Sequence, residues 1–242
     1  MISPCWLSAL TFILLLDLTC ARQIALLIID VQNCFLPGGS LAVTEGDQVI
    51  PLINNIRSEF KADLSLVVLS QDWHCSDHIS FASQHKGARK VIQLLYDKSG
   101  SLCDENNSCI HSTCGQTIVD SYSAFYDNGG FRHTELHDKL QEDGIDALII
   151  TGLARDYCVY YTAMDSKKLG YETYVVLDAT RPVTKETGDS AVADMKIKGI
   201  QIIESPDVAG VIAQLTSDAK YLKSSILMIS IILCLFKCLI GM

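Results

Sequence analysis

Five apolar runs alternate with segments of helical periodicity along most of the chain. The runs cover residues 24–31, 64–70, 146–153, 171–178 and 200–205. Apolar runs without polar alternation are typical of parallel strands that are covered on both faces of a sheet. The pattern therefore predicts an α/β fold: a three-layer, doubly wound sandwich around a mainly parallel sheet of about six strands.

Three helices are predicted between these strands. Asp47 would cap a helix over 47–61, whose apolar residues recur on one face. Further helices are predicted over 156–169, ended by Gly170, and over 189–198. Ligands of doubly wound sheets bind beyond the carboxyl ends of the strands, so functional residues are expected at that edge.

Both ends of the chain are strongly apolar. The first apolar run precedes small residues, which predicts a secretory signal peptide over 1–21. The last run follows small residues and a short polar spacer, which predicts a GPI-attachment signal or a membrane anchor over 218–242. These ends predict a domain over 22–217 on the extracellular face of the plasma membrane, reached through the secretory pathway. Asn106 begins an Asn-x-Ser sequon and is a predicted glycosylation site.

The amino-acid composition limits the kinds of molecule that the protein is expected to bind. The net charge is −9 at pH 7, so the chain offers no electrostatic footprint for nucleic acid. The 49% hydrophobic content excludes a disordered polyelectrolyte. A small-molecule ligand is expected, and the sequence leaves open whether the domain forms a homo-oligomer.

Two predicted strands end in polar residues. Asp30 ends the first strand, where partial burial would raise its pKa and suit it to proton transfer; a structural aspartate is the alternative. Asp72, His74 and His78 follow the second strand. One carboxylate and two imidazoles suit Zn²⁺, Mn²⁺ or Fe²⁺, and hydrogen-bonded surface histidines are the alternative.

A cysteine follows the third strand. Cys158 is expected in the first turn of a helix, where unpaired amides and the helix dipole would lower the thiol pKa and bind an oxyanion. The alternative is a buried cysteine that serves as a small apolar residue. A catalytic role for Cys158 is favoured because Asp30 and the candidate metal ligands are expected at the same edge of the sheet.

Several motifs resemble one family. DVQNCF, QDWHCSDHISFASQHK, DSYSAFYDN, TGLARDYCVYYTA and GYETYVVLDATRPV occur in the order found in nicotinamidases of the isochorismatase-like hydrolase superfamily. The resemblance implies the isochorismatase-like fold and hydrolysis of nicotinamide to nicotinate and ammonia through a cysteine thioester.

The resemblance also implies residue roles. Cys158 matches the nucleophile, Asp30 the acid/base, and Ala154 an oxyanion amide after a cis peptide from Leu153. The matched metal ligands are Asp72, His74 and His78; the metal would be Zn²⁺, with Mn²⁺ or Fe²⁺ as alternatives. The candidates to contact the substrate are Phe35, Trp73, Tyr122, Phe125 and Leu153, and each of the aromatic residues could instead belong to the apolar core.

One segment departs from the family pattern. Family members carry a further ligand histidine and a catalytic lysine before DSYSAF, whereas here nine positions separate His111 from Asp120 with no lysine. His111 is an imperfect substitute for that ligand. This departure predicts reduced activity, and two alternatives stay open: a hydrolase of another small amide or an isochorismate-like substrate, and an inactive surface protein that binds a ligand.

Overall fold

The structure is a computed structural model that describes residues 22–74, 78 and 120–217, together with three short strands between them. The chain divides into two compact units, one over Gln23–Pro206 and one that comprises Met1–Arg22 and Asp207–Met242. Of the second unit, only residue 22 and residues 207–217 are described, and 208–217 are helical. The segments 1–21 and 218–242 lie outside the described residues, so the predicted domain boundaries stay a prediction.

The larger unit is built on a parallel five-stranded sheet. Its strands are β1 (Gln23–Ile29), β2 (Leu66–Leu69), β6 (Ile145–Leu153), β7 (Glu172–Arg181) and β8 (Gln201–Ile203). They lie in the order β2-β1-β6-β7-β8, and every neighbouring pair is parallel. The doubly wound α/β prediction is confirmed, with five strands described where about six were expected. A separate antiparallel sheet joins β3 (Leu95–Tyr96), β4 (Leu102–Cys103) and β5 (Cys109–Ile110).

Helices cover both faces of the large sheet. They are α1 (Val49–Glu59), α2 (Leu136–Glu142), α3 (Cys158–Lys168) and α4 (Lys185–Ile197). Residues of α2, α3 and α4 share one buried cluster with alternate residues of β1, whereas α1 contributes none to that cluster and packs on β6 and β7. The central strands are buried on both faces, which explains their continuous apolar sequence.

Local sequence accounts for the helix ends. The Thr184 side chain accepts a hydrogen bond from the Thr187 amide, so α4 begins four residues before the predicted start at Asp189. Gly170 has a φ of 95° directly after α3, where a glycine avoids the steric cost that other residues incur. The predicted helices are confirmed, with shifted ends. The predicted cap at Asp47 is wrong, because Asp47 lies in a 3-10 turn over Gly46–Gln48 and α1 begins only after Gln48, whose side chain makes no capping hydrogen bond.

The strand order places the polar strand ends together. The order reverses between β1 and β6, so Asp30 after β1 and the turn after β6 face the same crevice. Gly152 allows these strands to approach closely, because a Cβ at this position would lie 2.0 Å from the Ile29 carbonyl oxygen. The topology thus brings Asp30, Asp72 and Cys158 to one edge of the sheet.

Candidate active site

Asp30 is buried at the end of β1, with 6% of its surface exposed. Its backbone takes a left-handed φ of 48°, a conformation that aspartate tolerates better than most residues. The Ser70 hydroxyl donates to Asp30 Oδ1 at 2.6 Å, and the Asp30 amide donates to Ser70 Oγ at 3.1 Å. Burial raises the pKa of Asp30, whereas the hydrogen bond from Ser70 opposes that rise. The predicted direction of the Asp30 pKa is confirmed.

Cys158 opens α3 and lies against Asp30. Its side chain is buried and hydrogen bonds to the Asp30 carboxyl group. Burial raises the pKa of the Cys158 thiol, and the neighbouring Asp30 charge raises it further. The expected lowering of this pKa is wrong, because burial and the carboxylate outweigh the helix terminus. The thiol therefore keeps its proton at neutral pH, with a carboxylate placed to accept it.

The turn before Cys158 is fixed by its backbone and by Arg155. The peptide bond between Leu153 and Ala154 is cis, as the resemblance implied. The Ala154 amide donates toward the Cys158 sulfur, which favours the thiolate. The Arg155 amide donates to the Arg181 carbonyl, and its guanidinium donates to Thr180 Oγ1, both at 2.8 Å. These bonds join the cysteine turn to the end of β7.

The predicted metal ligands lie beside this pair. His74 Nε2 is 3.2 Å from Asp72 Oδ1, and the imidazole rings of His74 and His78 stack with their centroids 4.1 Å apart. The structure brings to the same place the carboxylate of Asp120, a residue that the sequence reasoning did not assign to the site. Ligand atoms of His74, His78 and Asp120 all lie within 4.8 Å of one another, a spacing that one divalent cation could bridge.

Gln32 is a second residue that the sequence reasoning did not assign. Its side-chain oxygen accepts from the Asp72 amide at 2.9 Å, and its side-chain nitrogen donates to the Asp72 carbonyl at 3.1 Å. The same nitrogen donates to Cys34 Sγ at 2.9 Å. Gln32 thus fixes the backbone of a candidate metal ligand. The sequence could have indicated this role only through the position of Gln32, two residues after the candidate acid/base Asp30.

A cavity of about 420 Å³ opens over Asp30 and the candidate metal ligands, and Cys158 lies behind Asp30 and is not among the described residues that line it. Its described lining includes Asp30, the candidate metal ligands, and the predicted substrate contacts Trp73 and Tyr122. Phe35, Phe125 and Leu153 are not among the described lining residues. Phe125 is only 1% exposed and stacks on Tyr171, and Leu153 is fully buried. Both belong to the buried apolar core.

Two predicted site residues cannot be placed. His111 and Asn106 lie outside the described residues, so their assignments as a tentative ligand and a glycosylation site stay predictions.

Ser70 is expected to lower the pH at which Asp30 becomes protonated and catalytic activity is lost. Replacing Ser70 with alanine removes the hydrogen bond that lowers the Asp30 pKa, so Asp30 would be protonated at higher pH than in the wild type. We expect kcat/KM at the acidic end to fall about tenfold, the size expected for a hydrogen bond to a charged group. The pH profile of kcat/KM measures this shift. Ser70→Thr keeps the hydroxyl and should retain the wild-type profile; a matching loss in both variants would contradict the role.

Comparison with known proteins places the chain in a family. An isochorismatase domain matches residues 24–207, which is most of the chain. The chain belongs to the isochorismatase family. It is 36% identical over 208 residues to the nicotinamidase of Acinetobacter baylyi, covering 78% of this chain and 95% of that protein. It is 37% identical over 191 residues to the nicotinamidase of Escherichia coli, covering 72% of this chain and 90% of that protein.

A solved structure of this family shares the fold and carries zinc. The pyrazinamidase of Pyrococcus horikoshii, solved in complex with zinc, superposes with a TM-score of 0.58 at 32% identity. The match covers 76% of this chain and 99% of that protein. Together with the imidazole and carboxylate cluster, this likeness supports a divalent metal at the crevice of this family member.

The predicted signal peptide, membrane or GPI anchor and extracellular location are wrong. They rested on the apolar ends, and an apolar run shorter than about 20 residues is equally typical of a buried helix. The match covers 95% of one nicotinamidase and 90% of another, so these relatives leave little length for such added segments. Across residues 22–74 and 120–217, no helix is both long and apolar enough to cross a membrane.

Proposed function

We propose that this chain is a nicotinamidase, which hydrolyses nicotinamide to nicotinate and ammonia. The observation that carries the proposal is the buried contact between the Cys158 thiol and the Asp30 carboxylate. This pair lies at the carboxyl ends of β1 and β6, the neighbouring strands between which the strand order reverses. A group of candidate metal ligands lies beside it. The identity to curated nicotinamidases supports the same chemistry.

The first half-reaction acylates the cysteine. Asp30 accepts the thiol proton as Cys158 Sγ forms a bond to the amide carbon of the substrate. The amides of Ala154 and Cys158 are the proposed donors to the developing oxyanion. The carbon–nitrogen bond then breaks, Asp30 returns the proton to the leaving nitrogen, and ammonia departs. A thioester on Cys158 remains.

The second half-reaction releases the acid. Asp30 takes a proton from water as the water oxygen attacks the thioester carbon. The carbon–sulfur bond breaks, and Asp30 returns a proton to the cysteine sulfur. Nicotinate leaves and the buried thiol is restored. Burial raises the pKa of both residues, so the Asp30 carboxyl group is a better proton acceptor than an exposed carboxylate and the free thiol returns to its protonated form.

The donor set fits a divalent cation, and we propose Zn²⁺. Asp72, His74 and His78 would hold it, since neutral imidazole and carboxylate are ligands that Zn²⁺ prefers. When bound, the ion would supply a Lewis-acid contact for the pyridine nitrogen of the substrate. Trp73, with 64% of its surface exposed, and Tyr122 would contact the pyridine ring, because both line the cavity.

The deciding experiment measures ammonia release by the full chain. Nicotinamide should be hydrolysed, chelation should remove at least about nine-tenths of the activity, and added Zn²⁺ should restore it. Benzamide, which lacks the ring nitrogen, serves as the matched substrate and should be hydrolysed more slowly. Turnover of another amide without turnover of nicotinamide by the metal-loaded protein would reject the proposal. The reduced activity implied by the missing segment stays a prediction, which the same assay quantifies.

A further inference from the structure

Asp120 is the described carboxylate that reaches both stacked histidines. Its Oδ1 lies 3.4 Å from His74 Nε2 and 3.9 Å from His78 Nδ1. Asp72 Oδ1 approaches the same His74 nitrogen at 3.2 Å. One carboxylate oxygen of Asp120 and one imidazole nitrogen of each histidine thus lie within 4.8 Å of one another, and Asp72 adds a second carboxylate beside His74. One divalent cation could be held by such a group of ligand atoms.

The backbone around Asp120 is held by its own loop. The Asn128 amide donates to the Asp120 carbonyl at 2.8 Å, and Asn128 Oδ1 accepts from the Tyr122 amide at 3.0 Å. Farther along this loop, the Ala124 amide donates to Thr162 Oγ1 of α3 at 3.0 Å. These bonds hold the backbone that carries Asp120 beside the two histidines.

We propose that Asp120 is a direct ligand of the divalent cation, together with His74 and His78. The proposal rests on the metal site of the proposed function and adds a ligand to it. Two imidazole nitrogens and one carboxylate oxygen on one side of an ion form a donor set that Zn²⁺, Mn²⁺ and Fe²⁺ all accept. With Asp72 as the fourth donor, two negative charges would offset the two positive charges of the ion.

An outer-shell role is the competing assignment for Asp120. In that role its carboxylate would accept a hydrogen bond from an imidazole and orient it, without contacting the ion. Loss of an outer-shell partner also weakens metal binding, so affinity by itself does not separate the two roles. The visible absorption of bound Co²⁺ separates them, because the ligand-field bands respond to the identity of each direct ligand.

The test measures Co²⁺ and Zn²⁺ binding by the full chain without substrate. Asp120→Asn should bind Zn²⁺ at least about tenfold more weakly in isothermal titration and should change the Co²⁺ spectrum. Asp120→His restores a ligand of another type, so it should recover affinity with a spectrum different from the wild type. Asp138→Asn, an exposed aspartate of α2, is the matched control and should leave both readouts unchanged.

Each outcome decides the assignment. Weaker binding with an unchanged Co²⁺ spectrum would make Asp120 an outer-shell partner and overturn the proposal. Wild-type affinity in Asp120→Asn, or no metal binding by the wild type, would also overturn it. Because these measurements need no turnover, a protein that binds Co²⁺ through Asp120 but does not hydrolyse nicotinamide would uphold the ligand and reject only the proposed function.

Discussion

Cys158→Ala is expected to abolish ammonia release from nicotinamide, with a loss of at least about 10⁴-fold in kcat. Alanine removes the sulfur that would form the thioester, and no hydroxyl or thiol replaces it. The variant should stay folded, because Cys158 contributes a small side chain to a core built mainly by β1, β6 and α3. Ammonia assays with excess nicotinamide measure the loss, and urea unfolding followed by circular dichroism checks the fold.

A second free cysteine among the described residues provides a comparison for this prediction. Cys34 is half-buried and accepts a hydrogen bond from Gln32. Cys34→Ala should therefore lose far less activity than Cys158→Ala. Mass spectrometry of acid-quenched wild-type protein with nicotinamide should find the added acyl mass on the peptide that contains Cys158. Turnover by Cys158→Ala at a rate near that of the wild type would exclude the proposed nucleophile.

Asp30→Asn is expected to lower kcat by about 10²- to 10⁴-fold, the range for loss of a general base. Asparagine has nearly the same shape but cannot accept the thiol proton, while burial still favours the neutral thiol. In Asp30→Asn, kcat should fall while the acidity of the Cys158 thiol should rise. Removing the Asp30 charge takes away one cause of the raised Cys158 pKa, so the thiol should ionise at lower pH than in the wild type.

Two measurements on Asp30→Asn separate a base from a structural residue. Ammonia release reports turnover, and the pH dependence of iodoacetamide labelling at Cys158 reports thiol ionisation. Asp138→Asn should change neither, because Asp138 is exposed on α2. An Asp30→Asn variant within tenfold of wild-type turnover would contradict the base assignment. Low turnover with unchanged thiol ionisation would indicate that Asp30 has no electrostatic contact with Cys158 in solution.

The sequence alone predicted the sheet and the main reactive pair. Unbroken apolar runs at β1, β6 and β7 imply burial on both faces, and that requirement selects a parallel sheet covered by helices. Because parallel strands share a carboxyl edge, the same pattern predicted that Asp30 and Cys158 would meet. Their contact needs strand polarity, which the apolar runs indicate, and the adjacency of β1 and β6, which only the folded structure shows.

Only the tertiary structure showed the protonation state of the Cys158 thiol and the further residues that lie at the site. Burial and the Asp30 charge raise the Cys158 pKa more than the helix terminus lowers it. The sequence does not show how deeply the thiol is buried or how close Asp30 lies, so the direction of the shift could be found only from the packing. Asp120 and Ser70 reach the site from loops or strand ends distant in sequence, so no local spacing revealed them. Apolar periodicity therefore determined where the chemistry would lie, whereas distances between side chains far apart in the chain determined which groups take part.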